Sequence, residues 1–266
     1  MAITREQKKL LGQKIIPYKD RIEELDAELK KLDSISKKNP GVKDYVEIKK
    51  ASIIIQKCNI LLSMSRLSYE IQNTKNDTFL NDARKQVSST VNHLLKIVGE
   101  DIDSSFKESS EGAQKLNKLT PDVKLKIVRA LRDCTQGLND ELGQNNKWRW
   151  SFPDIHYKIA TFARNLFDFK EYDKSKDPSA EFYRERQEML KFIIEQSQYA
   201  AQEFRSRYEL STNDVSDLHV IRRLLESMKQ IFILTGNQAE IQKIKTAIDA
   251  NEEKIESVSS KKDKKK

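Results

Sequence analysis

A chain of 266 residues allows one large domain or two small ones, and 37 % apolar with 34 % charged residues is apolar-poor and charge-rich for a compact globule. Seven glycines and five prolines argue against extensive sheets joined by tight turns, while the apolar content still supports a continuous narrow core rather than general disorder. The formal net charge of +8 includes a run of five lysines against one aspartate in Ser257–Lys266, so the remaining body is only mildly basic and argues non-specific association rather than specific nucleic-acid recognition.

The first predicted element opens at Thr4, with Gln7 three residues on, the pattern of a capping box. Leu11, Ile15, Tyr18, Ile22, Leu25, Leu29 and Leu32 then follow at alternating spacings of four and three, a heptad seam set among charged residues. Pro17 interrupts this seam without changing its phase. The pattern favours a kinked helix over a short helix followed by a longer one from Pro17 to Ile35. Asn39-Pro40-Gly41 ends the element.

A second helix is expected over 42–72, with an apolar face wide enough to need several neighbours; it is the natural antiparallel mate for the first seam. A third runs from Asp77 or Thr78 to Gly99 on a stripe of Leu80, Ala83, Val87, Val91, Leu94 and Val98. Glu100–Lys118 is rich in serine and reads as a mobile loop anchored by Ile102 and Phe106. Thr120-Pro121-Asp122 starts a fourth helix that Gly143 closes. Further helices are expected over 154–169, 179–209 and 212–234, with Glu171–Pro178 a charged linker, and an eighth carries Ile241, Ile244, Ile248 and Ile255. No fixed period recurs, which argues against a solenoid.

The expected fold is therefore all-α: an elongated bundle of seven or eight helices, or two joined bundles with antiparallel, coiled-coil-like packing. The expected divisions are an N-terminal bundle over 1–143, a C-terminal bundle over 154–256 and a disordered lysine tail over 257–266. The start of the chain has no apolar run of the signal-peptide kind, and no stretch approaches the ~20 apolar residues of a spanning helix, so the expectation is a cytoplasmic protein with no transmembrane segment.

Motifs for chemistry fail on spacing. His93, His156 and His219 have no second histidine or cysteine within a helical turn or two, and Glu-x-x-His is absent, so neither a metal site nor a cofactor is expected. No glycine-rich phosphate loop and no Gly-x-Ser-x-Gly elbow occurs. Cys58 and Cys134 read as buried free thiols, and His156 as a helix-surface residue.

Two stretches remain as candidate contact surfaces. Lys147-Trp148-Arg149-Trp150 places two indoles and a guanidinium in a connector, where they either fold back over a bundle junction or form a patch of interface composition. The other is the start of the first seam, with Leu11 and Ile15. The expected function is non-catalytic: a structural, scaffold or assembly protein binding protein partners, or itself, through helical faces, with Leu11, Ile15, Trp148, Arg149 and Trp150 as contacts. The alternative is a nucleic-acid-associated accessory protein using basic helix faces and the lysine tail, a weaker partner class; a membrane surface is not expected as a partner.

Overall fold

The structure, a computed structural model, describes residues 3–143 and 145–263, with side chains as far as residue 260. It is all-α, with no strand among the described residues. The helices are α1 (Arg5–Lys14), α2 (Ile16–Lys38), α3 (Lys43–Gln72), α4 (Asp77–Val98), α5 (Phe106–Gln114), α6 (Pro121–Leu142), α7 (Phe152–Leu166), α8 (Phe169–Lys174), α9 (Tyr183–Arg207), α10 (Val215–Thr235) and α11 (Gln238–Asp263). No helix among the described residues is long and apolar enough to cross a membrane.

The chain divides into two compact units. The first comprises residues 1–97 and 129–149, the second 98–128 and 150–266. The chain crosses between them inside α4, inside α6, and at Arg149/Trp150 in the aromatic connector.

In the first unit, α1 opens with the expected capping box: Gln7 N–H donates to Thr4 Oγ1 at 3.1 Å and Thr4 N–H to Gln7 Oε1 at 2.9 Å. The helix stops at Lys14 and a new one begins at Ile16, so Pro17 makes a break rather than the favoured kink. The reason is local. In the first turn of a helix the amide hydrogen that proline lacks would be an orphan anyway. α2 and α3 then pack against each other. Asp26 pairs with Lys57, and Asp33 with Lys50 at 2.7 Å, so positions advance along one helix as they recede along the other. This is the antiparallel pairing that the seam predicts. The core of the unit holds Leu25, Ile53, Met64, Leu80, Leu94 and Leu131 at 1 % exposure or less. Cys58 and Cys134 are buried and free. A hydrogen bond with Cys134, reinforced by burial, pushes the Cys58 thiol up.

In the second unit, α7 packs on α9, α9 on α10 and α10 on α11. Phe204, Ile221, Leu224, Met228, Ile244 and Ile248 belong to their shared core. Asn251 Nδ2 donates to Leu218 O at 2.9 Å, tying α11 to α10 through a buried polar contact. Arg207 on α9 reaches Asp217 Oδ1 at 2.6 Å, Asp154 Oδ2 at 2.8 Å and Trp150 O at 3.1 Å, so one guanidinium joins α9, α10 and the start of α7.

Three expectations are corrected here. The serine-rich stretch after Gly99 is not an irregular loop: α5 forms within it, opened by a capping box of Ser105 and Glu108. Ser109, Ser110, Gly112 and Ala113 are buried where α5 meets α7 and α8. The first half of the charged linker is helical: α8 runs through it to Lys174, capped by Asp168, which accepts from the amides of Lys170 and Glu171, both at 3.0 Å. Helix α11 continues past Ser257 to Asp263, where disorder was expected; Lys264–Lys266 lie outside the described residues.

Gly112 marks the closest approach of α5 to its surroundings. A β-carbon there would lie 2.2 Å from Val98 O, a backbone atom with little freedom to move. Gly112→Ala should therefore cost about 1–3 kcal/mol, the range of an overpacked core, read as a lower urea midpoint with unchanged slope. A variant as stable as wild type would show that α5 is not held this close.

Candidate functional site

The residues singled out from sequence separate on inspection. Leu11 and Ile15 are 9 % and 8 % exposed and packed into their own unit. The same arm exposes Leu10 and Ile16 instead, at 44 % and 52 %. Gln7 Nε2 donates to Ile71 O at 2.9 Å, which fastens the arm to the end of α3.

Trp148 and Arg149 belong to the first unit and Trp150 to the second; all three are half-buried. Trp148 lies among cations. Lys147 Nζ is 4.4 Å from its ring centroid and the Arg84 guanidinium is 6.0 Å away. Each such contact is worth about 0.5–1 kcal/mol at an exposed site. Arg84 is itself oriented by Asn81 Oδ1, at 2.9 Å from its terminal nitrogen.

Charge and exposed apolar surface are distributed unevenly. The whole formal net charge of +8 falls on the first unit, while the second sums to zero because its terminal lysines offset an acidic remainder. Of the seven large apolar side chains found exposed among the described residues, five are on the first unit: Leu10, Ile16, Ile35, Val42 and Tyr69. The α2 seam is only partly covered. Leu25 is fully buried, whereas Ile22, Leu29 and Leu32 remain half-exposed and Ile35 exposed.

The second unit contains two polar centres that helical periodicity does not announce. Arg164 is fully buried on α7. One terminal nitrogen donates to Ser109 Oγ at 2.6 Å and to Ser104 Oγ and Asn165 Oδ1, both at 3.1 Å. The other donates to Ser104 O at 2.6 Å and Gln230 Oε1 at 2.8 Å. Phe106 and Phe169 flank the guanidinium at 5.7 and 5.5 Å. Burial pushes Arg164 down to about 10, with Asp103 and Glu108 opposing the shift, so it stays charged at neutral pH. Neighbouring Asn165 donates to Gly99 O and Asp101 O, both at 3.0 Å. Together the two residues sew the chain after α4 onto α7.

His156, expected on a helix surface, is fully buried. Gln196 Nε2 lies 3.1 Å from its Nδ1 and 3.2 Å from its carbonyl oxygen, and Tyr199 packs edge-on at 4.7 Å. An amide nitrogen at Nδ1 makes that atom the acceptor and places the proton on Nε2, which is buried and has no hydrogen-bond partner among the described residues. Among the described residues there is also no group of three or more His, Cys, Asp or Glu side chains able to hold a metal ion.

Two outcomes follow from these centres. Arg164→Met should destabilise by about 3 kcal/mol, since the lost donor strands several buried acceptors. Arg164→Lys should not restore stability, because a single ammonium cannot span the fork; full rescue by lysine would reject the network. For His156, burial lowers the folded-state value from 6.5 to about 4. The unfolded chain thus binds the proton first. The stability contribution is complete above about pH 6.5 and is lost as pH falls toward 4, by about 3 kcal/mol. Urea midpoints across that window should fall for wild type and stay flatter for His156→Gln; parallel curves would exclude His156 as the source.

No curated protein matches the chain. The model of the TP0443 family matches residues 7–259, and the chain belongs to that family.

Proposed function

We propose that this protein is a non-catalytic scaffold or assembly protein that binds protein partners through the helical faces of its first unit. The observation that carries this is the coincidence on one unit of the net positive charge and most of the exposed large apolar side chains. Apolar residues supply affinity when a partner removes them from water, and the surrounding lysines favour acidic partners and set their approach. Trp148, between Lys147 and Arg84, adds a group of the type that dominates interface energetics. A cytoplasmic setting suits Cys58 and Cys134, both reduced and buried.

The concentration of positive charge also supports a second function, accessory binding to nucleic acid. Exposed leucine and isoleucine favour the first, because phosphate contacts would leave those side chains in water.

Affinity purification from the native host separates the two. Leu10→Ser/Ile16→Ser and Trp148→Ala should fold normally yet recover at least one specific protein partner in several-fold lower amount than wild type. Equal recovery by wild type and both variants would remove these residues from the contact. Copurifying nucleic acid, lost steeply between about 50 and 200 mM salt, together with no protein partner would favour the second function.

A further inference from the structure

Within the first unit, α2, α3 and α4 surround a groove. Leu29, Ala51 and Ile54 give it apolar lining, and its volume is about 220 Å³. Sites that enclose small molecules or cofactors run to roughly 300–1,000 Å³. This groove is smaller, and suits a single aliphatic or aromatic side chain inserted from outside. The charged groups along its wall are paired with each other: Lys50 Nζ lies 2.7 Å from Asp33 Oδ1 and 2.9 Å from Glu47 Oε1. Thr90 Oγ1 is likewise engaged, donating to Gln86 O at 2.8 Å.

The rim has the opposite character. Residues three or four apart on a helix share a face. Lys30 and Lys37 stand one turn either side of Asp33, Lys43 one turn before Glu47, Lys85 one turn before Ser89 and Lys96 one turn after His93; by the same spacing Asp26, Asp44 and Asp82 also stand one turn from lining residues, so these five lysines face three aspartates. All five lysines are exposed. A groove with an apolar floor, its own carboxylates paired with Lys50, inside a rim where exposed lysines outnumber aspartates favours an occupant with an apolar stripe between acidic flanks.

We propose that this groove docks an amphipathic helix of a partner protein, which inserts an apolar side chain against Leu29, Ala51 and Ile54 and turns glutamates or aspartates toward the rim lysines. The proposal deepens the partner-binding function above and rests on it. A second copy of the same face is a poor occupant, because each first unit carries the full positive charge of the chain and two would repel. Nucleic acid would satisfy the lysines and leave the floor wet.

The test uses the full-length protein and a fluorescent stapled peptide of about four helical turns, with leucines on one face and glutamates on the other. A matched peptide carries lysines in place of the glutamates. Three proteins are compared by anisotropy: wild type, Ser89→Trp to cover the groove, and Lys30→Glu/Lys96→Glu to reverse the rim. Ser89 and both lysines are exposed, so folding should be unaffected, and thermal melts check this. Wild type should bind the acidic peptide at least about tenfold more tightly than the basic one, a difference of about 1.4 kcal/mol. Each variant should lose most of that preference. Equal binding of the acidic peptide by wild type and Ser89→Trp overturns the proposal, as does wild type that fails to bind it. So does binding to phosphatidylglycerol vesicles that exceeds peptide binding and survives Ser89→Trp. If native partners are still recovered through Leu10 and Ile16 while the peptide does not bind, the groove is rejected and the partner-binding function stands. If wild type recovers no specific protein partner, the function itself falls, whatever the peptide does.

Discussion

A guanidinium buried among neutral acceptors organises the second unit. Arg164 has given up its water, and among the described residues its hydrogen bonds go to serine, asparagine and glutamine side chains and one backbone carbonyl. Its Nε is buried without a hydrogen-bond partner among the described residues, so the compensation for burying the charge falls on the two terminal nitrogens. Each acceptor must therefore hold its place: Ser104 after α4, Ser109 on α5, Gln230 on α10. The two phenylalanines beside the guanidinium exclude competing water and add their ring faces. Ser109 lends its hydroxyl to a cation that could not otherwise stay inside, which accounts for its burial in an otherwise polar stretch.

The first unit is held differently. Its helices meet mainly through apolar stripes, and the ion pairs that cross from α2 to α3 join a largely covered lysine, Lys50 or Lys57, to a more exposed aspartate, Asp33 or Asp26. With the aspartate of each pair open to water, screening keeps the gain modest. What they supply is register: Asp26 with Lys57 and Asp33 with Lys50 fix how α2 slides along α3. Apolar contact provides the attraction and charge chooses among the registers that contact alone would allow.

Elements with a strong apolar period were legible from sequence. The α1 cap, the α2–α3 pairing, α4 with its left-handed Gly99 and α6 from Pro121 appear where spacing and caps place them. Elements that bury something other than large apolar groups were not. The buried part of α5 is Ser109, Ser110, Gly112 and Ala113, which leaves no hydrophobic trace. α8 is six residues long and rests on Phe169 and Tyr172, too little to show a period. Arg164 and His156 lie on a helix whose apolar residues were recognised, but a polar residue on a stripe reads as surface until its neighbours are known. The capping box at Ser105 and Glu108 was the one available signal for α5. The division of the chain into two units, with segments before and after 98–128 joining the first, depends on contacts between distant stretches that no local pattern encodes.

The α2 seam shows how one stripe can serve two purposes. Leu25 is fully committed to the interior, and with it the anchoring of α2 on α3. Leu29, one turn on, is half-exposed and lines the groove. The members of the stripe left half-covered retain part of their transfer free energy, about 25 cal/mol for each Å² still in water. On a neutral surface that residue of hydrophobic drive would invite unspecific association. In the proposed docking, the lysine excess of a unit that holds the entire net charge would disfavour copies of itself and cationic proteins and favour an acidic partner. On that proposal, the charge pattern would turn an incompletely buried seam from a liability into a selective contact.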